Sequence, residues 1–339
     1  MAMTSRELVR RTLRFQKPDR TPRHAWVLPW AEEHSPGPLA RLRREFPDDI
    51  ATVPQLYRAP LPVVGSRYAK GDYVDEWGCR FRNVHGGVIG VTHGPLISDW
   101  SQLEGFRAPE APLAVDADAV RAFCRGTQQF TLAGTLIRPF ERLQFIRTVE
   151  QAMVDLAEEP PELLELLRRI HEHYVRETEA WARTDVDAIV IMDDWGGQRR
   201  MLASPGTFRR HFRPMYEEYA EIARRYGKFV FMHSDGHILD IVEDLIALGV
   251  DALNSQVAVM GVEELGRRFA GRLTFWGEVD RQILLSRGTK DEVARAVREM
   301  RAHLYADGGV IAECEFGPGA QPENVLHVFE TWRRIDEGA

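Results

Sequence analysis

The stretch Phe229-Val230-Phe231-Met232-His233-Ser234-Asp235-Gly236 joins an apolar run of strand length to a polar turn. Side chains alternate along a strand, so Phe229, Phe231 and His233 face one way, and Asp235 joins them if the backbone stays extended. Gly236 allows the chain to turn with positive φ, and apolar residues at helical spacing follow it. The pattern predicts a strand, a polar turn and a helix, with a metal-capable histidine and aspartate at the carboxyl end of the strand.

The same turn has a purely structural interpretation. His233 is then a hydrogen-bonded histidine, and Asp235 caps the helix that follows, as aspartate commonly does. From this segment alone the two interpretations carry equal weight.

Short apolar runs alternate with amphipathic ones along most of the 339-residue chain. Such alternation is typical of right-handed βαβ units and a parallel sheet, and the number of units favours closure into a barrel. We predict one α/β domain over residues 1–339, a (β/α)8 TIM-like barrel with an N-terminal extension and an inserted hairpin or lid at about residues 55–115. The predicted strands lie at Ala25–Leu28, Ile50–Val53, Phe130–Gly134, Ala188–Met192, Phe229–Met232, Asp251–Asn254, Leu273–Trp276 and Val310–Ala312.

Composition narrows the class of protein. The net charge is −7 with both signs interspersed, whereas a nucleic-acid surface needs clustered lysine and arginine. The chain has no apolar run of the ~18 residues that a membrane span requires. Three separated cysteines and no apolar leader predict reduced thiols in the cytoplasm. We therefore expect a small-molecule substrate and neither a nucleic-acid nor a membrane partner.

Polar residues follow four of the predicted strands, where α/β enzymes keep their chemistry. One of Asp193 and Asp194 is expected to cap a helix and the other, taken as Asp194, to face the cavity. Glu278 and Asp280 suit a ligand pair or a general acid/base pair, although Arg281 beside them also fits a structural ion pair. The predicted catalytic residues are Asp194, Glu278 and Asp280.

Further residues at or beside the strand ends are predicted to bind substrate or metal. Trp195 is an aromatic wall of the cavity or simply core packing. The other predicted substrate-binding residues are Gln198, Asn254 and Trp276. Cys314 could reach a metal held by His233, since zinc accepts N, O and S ligands. Without a second thiolate, the favoured interpretation of Cys314 from the residues alone is a small buried hydrophobe, with Glu313 or Glu315 as the ligand in its place.

The chain resembles the uroporphyrinogen decarboxylase superfamily, which also holds corrinoid:thiol methyltransferases, over nearly its whole length. The motifs that carry the resemblance are Ser5-Arg6-Glu7, Lys17-Pro18-Asp19-Arg20, Asp75-Glu76-Trp77-Gly78, Asp194-Trp195-Gly196 with Gln198, Ser204-Pro205, His233-Ser234-Asp235-Gly236, Gly249 to Asn254, Gly277 with Asp280, and Pro322-Glu323-Asn324. The resemblance implies a (β/α)8 barrel with a cleft at the carboxyl ends of its strands.

The resemblance favours the methyltransferase branch over true decarboxylases. Decarboxylases carry an arginine-rich motif after the first strand and an aspartate after the second, and neither is evident here. The methyltransferases hold zinc with a His-x-Cys pair and a later cysteine, which His233 and Cys314 match while Asp235 replaces the first cysteine. The implied metal set is His233, Asp235 and Cys314.

Three functions follow, in order of preference. The first is a zinc-dependent methyltransferase that moves a methyl group between a corrinoid, free or on a partner protein, and a small thiol or oxygen-containing substrate. The second is a uroporphyrinogen decarboxylase-type enzyme of porphyrin metabolism, and the third is a non-catalytic corrinoid- or tetrapyrrole-binding protein. Homodimers are common in this superfamily, so the resemblance implies that a homodimer is possible.

Overall fold

The computed structural model describes residues 3–338, so the first two residues and the last one of the predicted domain lie outside it. Eleven strands are present in this part of the chain. They are β1 (Arg23–Val27), β2 (Ile50–Thr52), β3 (Gly71–Val74), β4 (Arg80–Asn83), β5 (Val91–Thr92), β6 (Phe130–Leu132), β7 (Ala188–Met192), β8 (Phe229–Ser234), β9 (Ala252–Ser255), β10 (Thr274–Glu278) and β11 (Val310–Phe316).

Eight of these strands form a parallel sheet in the order β1-β11-β10-β9-β8-β7-β6-β2, while β3, β4 and β5 form a separate antiparallel sheet. Sequential strands from β6 to β11 are neighbours, as right-handed βαβ units require. The predicted (β/α)8 barrel is confirmed.

Helices surround the sheet. They are α1 (Ser5–Leu13), α2 (Pro29–His34), α3 (Pro36–Glu45), α4 (Ala117–Arg125), α5 (Pro139–Arg147), α6 (Val149–Glu158), α7 (Pro161–Ala182), α8 (Pro205–Thr207), α9 (Arg213–Arg225), α10 (Val242–Leu248), α11 (Val257–Met260), α12 (Val262–Phe269), α13 (Leu284–Arg287), α14 (Lys290–Leu304) and α15 (Pro322–Asp336). Prolines stand in the first turn of several of them, where the missing N–H costs nothing.

The N-terminal helix α1 packs against the amino-terminal end of the barrel. Its Val9 and Leu13 join the apolar layer inside the sheet. Arg6 and Arg10 both pair with Asp187, which directly precedes β7, at 3.0 and 2.8 Å. This end of the barrel is therefore filled, and a ligand has access from the opposite end.

The predicted insertion lies between β2 and β6, where β3, β4 and β5 form the small antiparallel sheet. A buried ion pair of 2.5 Å between Asp75 and Arg142 attaches this segment to α5. Phe81 and Ile89 from the insertion line the cavity at the carboxyl ends of the barrel strands. The insertion thus covers one side of the barrel mouth.

The barrel has one seam, between β1 and β2. In the described residues these two strands share no strand ladder, although both pair with other neighbours. At the amino-terminal end the seam is tied by Asp49, whose N–H donates to the Arg23 carbonyl at 2.8 Å and whose carboxylate accepts from the Arg23 N–H. Nearer the carboxyl ends the two strands are apart, and a cavity lies between them.

Candidate metal centre at the mouth of the barrel

A polar cavity of about 440 Å³ lies at the carboxyl ends of the barrel strands. Its charged side chains come from five separate segments of the chain, which explains why no local motif describes it. They are Arg138, Glu141, Asp194, His233, Asp235, Glu278, Arg281, Glu313 and Glu315.

Three of these side chains converge. His233 Nε2 lies 3.4 Å from Asp194 Oδ1 and 3.9 Å from Asp235 Oδ1. One donor atom from each of the three residues lies within 4.8 Å of the other two. Two ligands that each lie about 2.1 Å from a zinc ion in a tetrahedral arrangement are about 3.4 Å apart. The spacing therefore fits a zinc ion held by His233, Asp194 and Asp235.

Two glycine-containing loops bring these residues together. Asp194 follows β7, Asp235 follows β8, and Gly196 N donates to the Asp235 carbonyl at 3.0 Å. A Cβ atom at Gly196 or Gly236 would overlap with the backbone of the other glycine, and Gly236 also has a φ of +77°. Close contact between the two loops places Asp194 beside His233. The Asp235 N–H also donates to the Asp194 carboxylate at 2.8 Å.

Asn254, in the next strand, orients His233. Its side-chain nitrogen donates to the Trp276 carbonyl at 2.6 Å and to Glu313, which leaves its oxygen facing His233 Nδ1 at 2.5 Å. His233 therefore carries a proton on Nδ1, and Nε2 points at Asp194 and Asp235. An imidazole that ligates a metal is commonly oriented by a hydrogen bond of this kind.

Burial and mutual contacts shift the pKa values of His233 and Asp194. Burial alone would lower the pKa of His233, but hydrogen bonds and charge from Asp194, with Asp235 and Asn254, raise it to about 9. Burial would raise the pKa of Asp194, and the same contact with His233 lowers it to about 2. These shifts favour a protonated His233 beside ionised carboxylates. A cation bound there would replace the proton on Nε2.

Arg281 organises the other side of the cavity. Its guanidinium pairs with Asp235 Oδ2 at 2.5 Å and with Glu315 at 2.8 Å. Its Nε lies 3.4 Å from Glu278 Oε1 without forming a hydrogen bond. Because Arg281 engages Oδ2 of Asp235, the remaining oxygen Oδ1 faces His233.

Glu278 and Glu313 lie side by side on β10 and β11, where they are partners in the parallel register. Burial raises the pKa of Glu278 to about 8, and neighbouring carboxylates add to that effect. Burial and the charge of Glu278 likewise raise the pKa of Glu313. Two adjacent carboxyl groups cannot both ionise cheaply, so this pair retains a proton near neutral pH.

The structure does not bring Cys314 to the cluster, which corrects the predicted metal set. The strand was expected to end at Ala312, but β11 continues to Phe316, so its side chains alternate through Cys314. Glu313 and Glu315 line the cavity, whereas Cys314 is fully buried in the apolar layer between sheet and helices. Burial and the nearby glutamates raise the pKa of its thiol well above the ordinary value.

Trp195 is also corrected, from cavity wall to core. It is fully buried and stacks on Phe140 with ring centroids 3.9 Å apart. Its Nε1 donates to the Tyr216 hydroxyl at 2.8 Å. Asp193 is structural too, since it accepts hydrogen bonds from Tyr216 and from the first backbone N–H groups of α5.

Asp280 and Gln198 do not face the polar cavity. β10 ends at Glu278, so the strand alternation does not reach Asp280, which instead caps a turn by accepting from the N–H groups of Gln282 and Ile283. Gln198 lies in an exposed loop and lines a small neighbouring pocket together with Asp280. Trp276 is buried inside the barrel, where its Nε1 donates to His24 Nδ1 at 3.2 Å.

Several cavity residues were not predicted from the sequence. Trp26 stacks obliquely on His233, with ring centroids 5.1 Å apart, and it shares a strand with His24. The predicted strand began at Ala25, one residue after His24, so the alternation that places His24 and Trp26 on one face was missed. Glu141, at the start of α5, gave no signal, and burial raises its pKa to about 7.

Residues 74–335 match the sequence profile described as uroporphyrinogen decarboxylase (URO-D). The chain belongs to the URO-D family. The matched range holds all the charged cavity residues but leaves out β1 and β2 of the barrel. The comparison with curated proteins found no match.

One solved structure compared with this URO-D family member shares its architecture. A methyltransferase from Methanosarcina mazei is 16% identical, with a TM-score of 0.71 over 98% of this chain and 99% of that chain. An endo-beta-1,4-xylanase from Gloeophyllum trabeum is 13% identical, with a TM-score of 0.43 over 95% of this chain and 99% of that chain. At such identity the first likeness shows the fold alone.

The described helices include none with the length and apolar character that a membrane span demands.

Proposed function

We propose that this URO-D family member is a zinc-dependent methyltransferase that moves a methyl group between a corrinoid and a small thiol or oxygen-containing substrate. The observation that carries the proposal is the convergence of Asp194, His233 and Asp235, whose donor atoms have the spacing of a tetrahedral metal site. The fold shared with the Methanosarcina mazei methyltransferase supports the choice of reaction.

The donor set suits a catalytic metal site. Three protein ligands leave a fourth position of a tetrahedral ion free for substrate, which is the pattern of catalytic zinc. A zinc ion there supplies Lewis acidity that lowers the pKa of a bound thiol or hydroxyl group. Carboxylates are harder donors than thiolates, so this set is as suitable for an oxygen substrate as for a sulfur one.

The residues around the cluster position it. Asn254 holds His233 with Nε2 toward the centre, and Arg281 holds Asp235 with Oδ1 toward it. The pair of Glu278 and Glu313 keeps a proton within the cavity and can hydrogen-bond a polar substrate group. Phe81 and Ile89 of the insertion cover one side and reduce access of water.

Charge in the cavity ranks the methyltransferase above a decarboxylase of uroporphyrinogen. Six carboxyl groups line the cavity, but its positive groups are only Arg138, Arg281 and His233. A tetrapyrrole substrate brings several carboxylates of its own, and like charges at short range repel strongly where water is scarce. A neutral substrate avoids that repulsion.

The metal is the first test. After reconstitution with zinc and removal of the excess, elemental analysis should find about one zinc per chain, since one such three-residue group is present among residues 3–338. The variant His233→Ala should bind less than a tenth as much. His171→Ala is the matched control, because this histidine pairs with Glu218 on the surface and should leave the zinc content unchanged. A wild-type protein without zinc, or full zinc in His233→Ala, overturns the proposed site.

Turnover is the second test. The zinc-loaded protein is mixed anaerobically with methylcobalamin and a panel of small thiols and alcohols, and demethylation of the corrinoid is followed by its absorbance. The proposal expects transfer that His233→Ala abolishes and His171→Ala retains. Release of CO2 from uroporphyrinogen instead would establish the decarboxylase, and tight cobalamin binding without turnover on any substrate would establish the binding protein.

A further inference from the structure

A second cavity, of about 540 Å³, lies in the seam between β1 and β2. It extends from the carboxyl ends of β1, β2, β6 and β7 toward Asp48 and Gln129 at the opposite end of the seam. The volume is within the range of small-molecule sites. The two strands share no ladder there.

The lining of this cavity differs in chemistry from the polar cavity. One wall consists of aromatic rings: Trp276 lies 5.2 Å from His24 and 5.6 Å from Trp26, between ring centroids. The rest of the lining includes the aliphatic side chains of Leu132, Leu136 and Val190. Aromatic rings together with aliphatic side chains form a slot suited to a flat apolar group.

The interior of the slot is uncharged. Burial lowers the pKa of His24 to about 4, so its imidazole is neutral at physiological pH. The two charged residues of the lining are already engaged, Arg43 with Glu32 at 2.7 Å and Asp48 with the N–H of Ala25 at 2.7 Å. A neutral ring leaves both of these contacts in place and loses little on entry.

The two cavities adjoin each other. Trp26 and Met192 line both of them, and the Trp26 ring lies against His233 with 33° between the ring planes. A molecule in the slot can therefore place its polar end beside His233. Because the slot adjoins the candidate metal cluster, it can hold the non-reacting part of a substrate whose reacting atom lies at the cluster.

We infer that the seam cavity binds the uncharged aromatic body of the substrate, whose heteroatom then faces the cluster of Asp194, His233 and Asp235. This inference deepens the proposed function and rests on it, since it names the class of substrate for the same site. Aromatic rather than saturated rings are expected, because stacking on tryptophan stabilises an aromatic ring beyond the burial of its area.

Binding of simple probes to the metal-free full-length protein tests the inference. The probes are 2-methoxyphenol and its saturated counterpart 2-methoxycyclohexanol, and binding is measured by calorimetry and by quenching of tryptophan fluorescence. We expect saturable binding of 2-methoxyphenol, several-fold tighter than that of 2-methoxycyclohexanol.

Filling the slot provides the matched variants. Thr52 is an exposed residue that lines the seam cavity, so Thr52→Trp should weaken 2-methoxyphenol binding at least tenfold and Thr52→Leu should weaken it less. Val84→Trp adds the same ring at an exposed site outside the cavity and should bind as wild type does. Circular dichroism establishes whether each variant is folded. If Thr52→Trp is not folded, Thr52→Leu provides the test of binding.

The outcomes separate this inference from the proposed function. Absence of saturable binding, equal affinity for the two probes, or wild-type affinity in both Thr52 variants overturns the aromatic slot while leaving the zinc test untouched. Absence of zinc from the reconstituted wild-type protein, with 2-methoxyphenol binding retained, contradicts the zinc site and keeps the slot.

Discussion

The side-chain oxygen of Asn254 lies 2.5 Å from His233 Nδ1 and fixes which nitrogen of the imidazole faces the carboxylates. The amide nitrogen of Asn254 is committed to the Trp276 carbonyl and to Glu313, so the amide cannot turn over without losing both contacts. Asn254 thereby connects the candidate metal ligand on β8 to the carboxyl pair on β10 and β11. This relationship gives the first prediction.

Asn254→Ala should weaken zinc binding roughly 10- to 100-fold, the usual cost of removing the partner that orients a metal-bound histidine. Competition with a chelator of known affinity measures the change. Ser255→Ala is the control, because Ser255 is buried on the same strand and its hydroxyl has no hydrogen-bond partner among the described residues. Equal zinc affinity in Asn254→Ala and wild type would show that Asn254 does not position His233.

Cys314→Ala should leave the zinc content at the wild-type level, because the thiol lies in the outer apolar layer rather than in the cavity. It should still lower the free energy of unfolding by about 1 kcal/mol, through the lost contacts of the buried sulfur. Elemental analysis and urea unfolding measure the two quantities. Loss of zinc in this variant would return Cys314 to the ligand set.

Arg281→Met should destabilise the metal-free protein, because Asp235 and Glu315 lose their shared partner. Removing one partner of a buried ion pair costs about 3–5 kcal/mol, and with a quarter of the Arg281 side chain exposed we expect the lower end. Arg267→Met is the matched control, since its pair with Glu264 is exposed and worth less than about 1 kcal/mol. Urea unfolding measures the free energy of unfolding of both variants. An equal decrease in both would show that the ion pairs of Arg281 stabilise the protein no more than an exposed pair does.

His24 predicts a pH dependence of stability. Burial lowers its pKa from 6.5 to about 4 in the folded protein. Between these values the unfolded chain binds a proton that the folded chain does not, so the free energy of unfolding falls as the pH falls from 6.5 to 4. The loss is at most about 3 kcal/mol, because each unit of pKa shift is worth about 1.4 kcal/mol and part of the residue faces a cavity.

His24→Gln should remove this contribution, since its amide oxygen can still accept from Trp276 but does not titrate in this range. Urea unfolding of both proteins at pH 7, 6, 5 and 4 measures the difference in slope. The same slope in both would mean that the folded protein accommodates a charged His24.

The sequence by itself determined the order of strands and helices, because burial of both faces of a parallel sheet leaves short apolar runs that can be counted along the chain. It also placed His233, Asp235 and Glu278 at strand ends, since strand alternation is a local property. Where a strand ended was harder to predict, because polar residues that face a cavity mark the end of an apolar run but not of the strand.

Which of these residues lie close together depends on tertiary packing. Extension of β11 to Phe316 turned Cys314 outward and left Glu313 and Glu315 inside, a difference of one residue in a pattern of period two. The approach of Gly196 to Gly236 brought Asp194 beside His233, and the seam between β1 and β2 opened a cavity around Trp26. Contacts between segments far apart in the chain depend on backbone packing, which no local spacing of residues records.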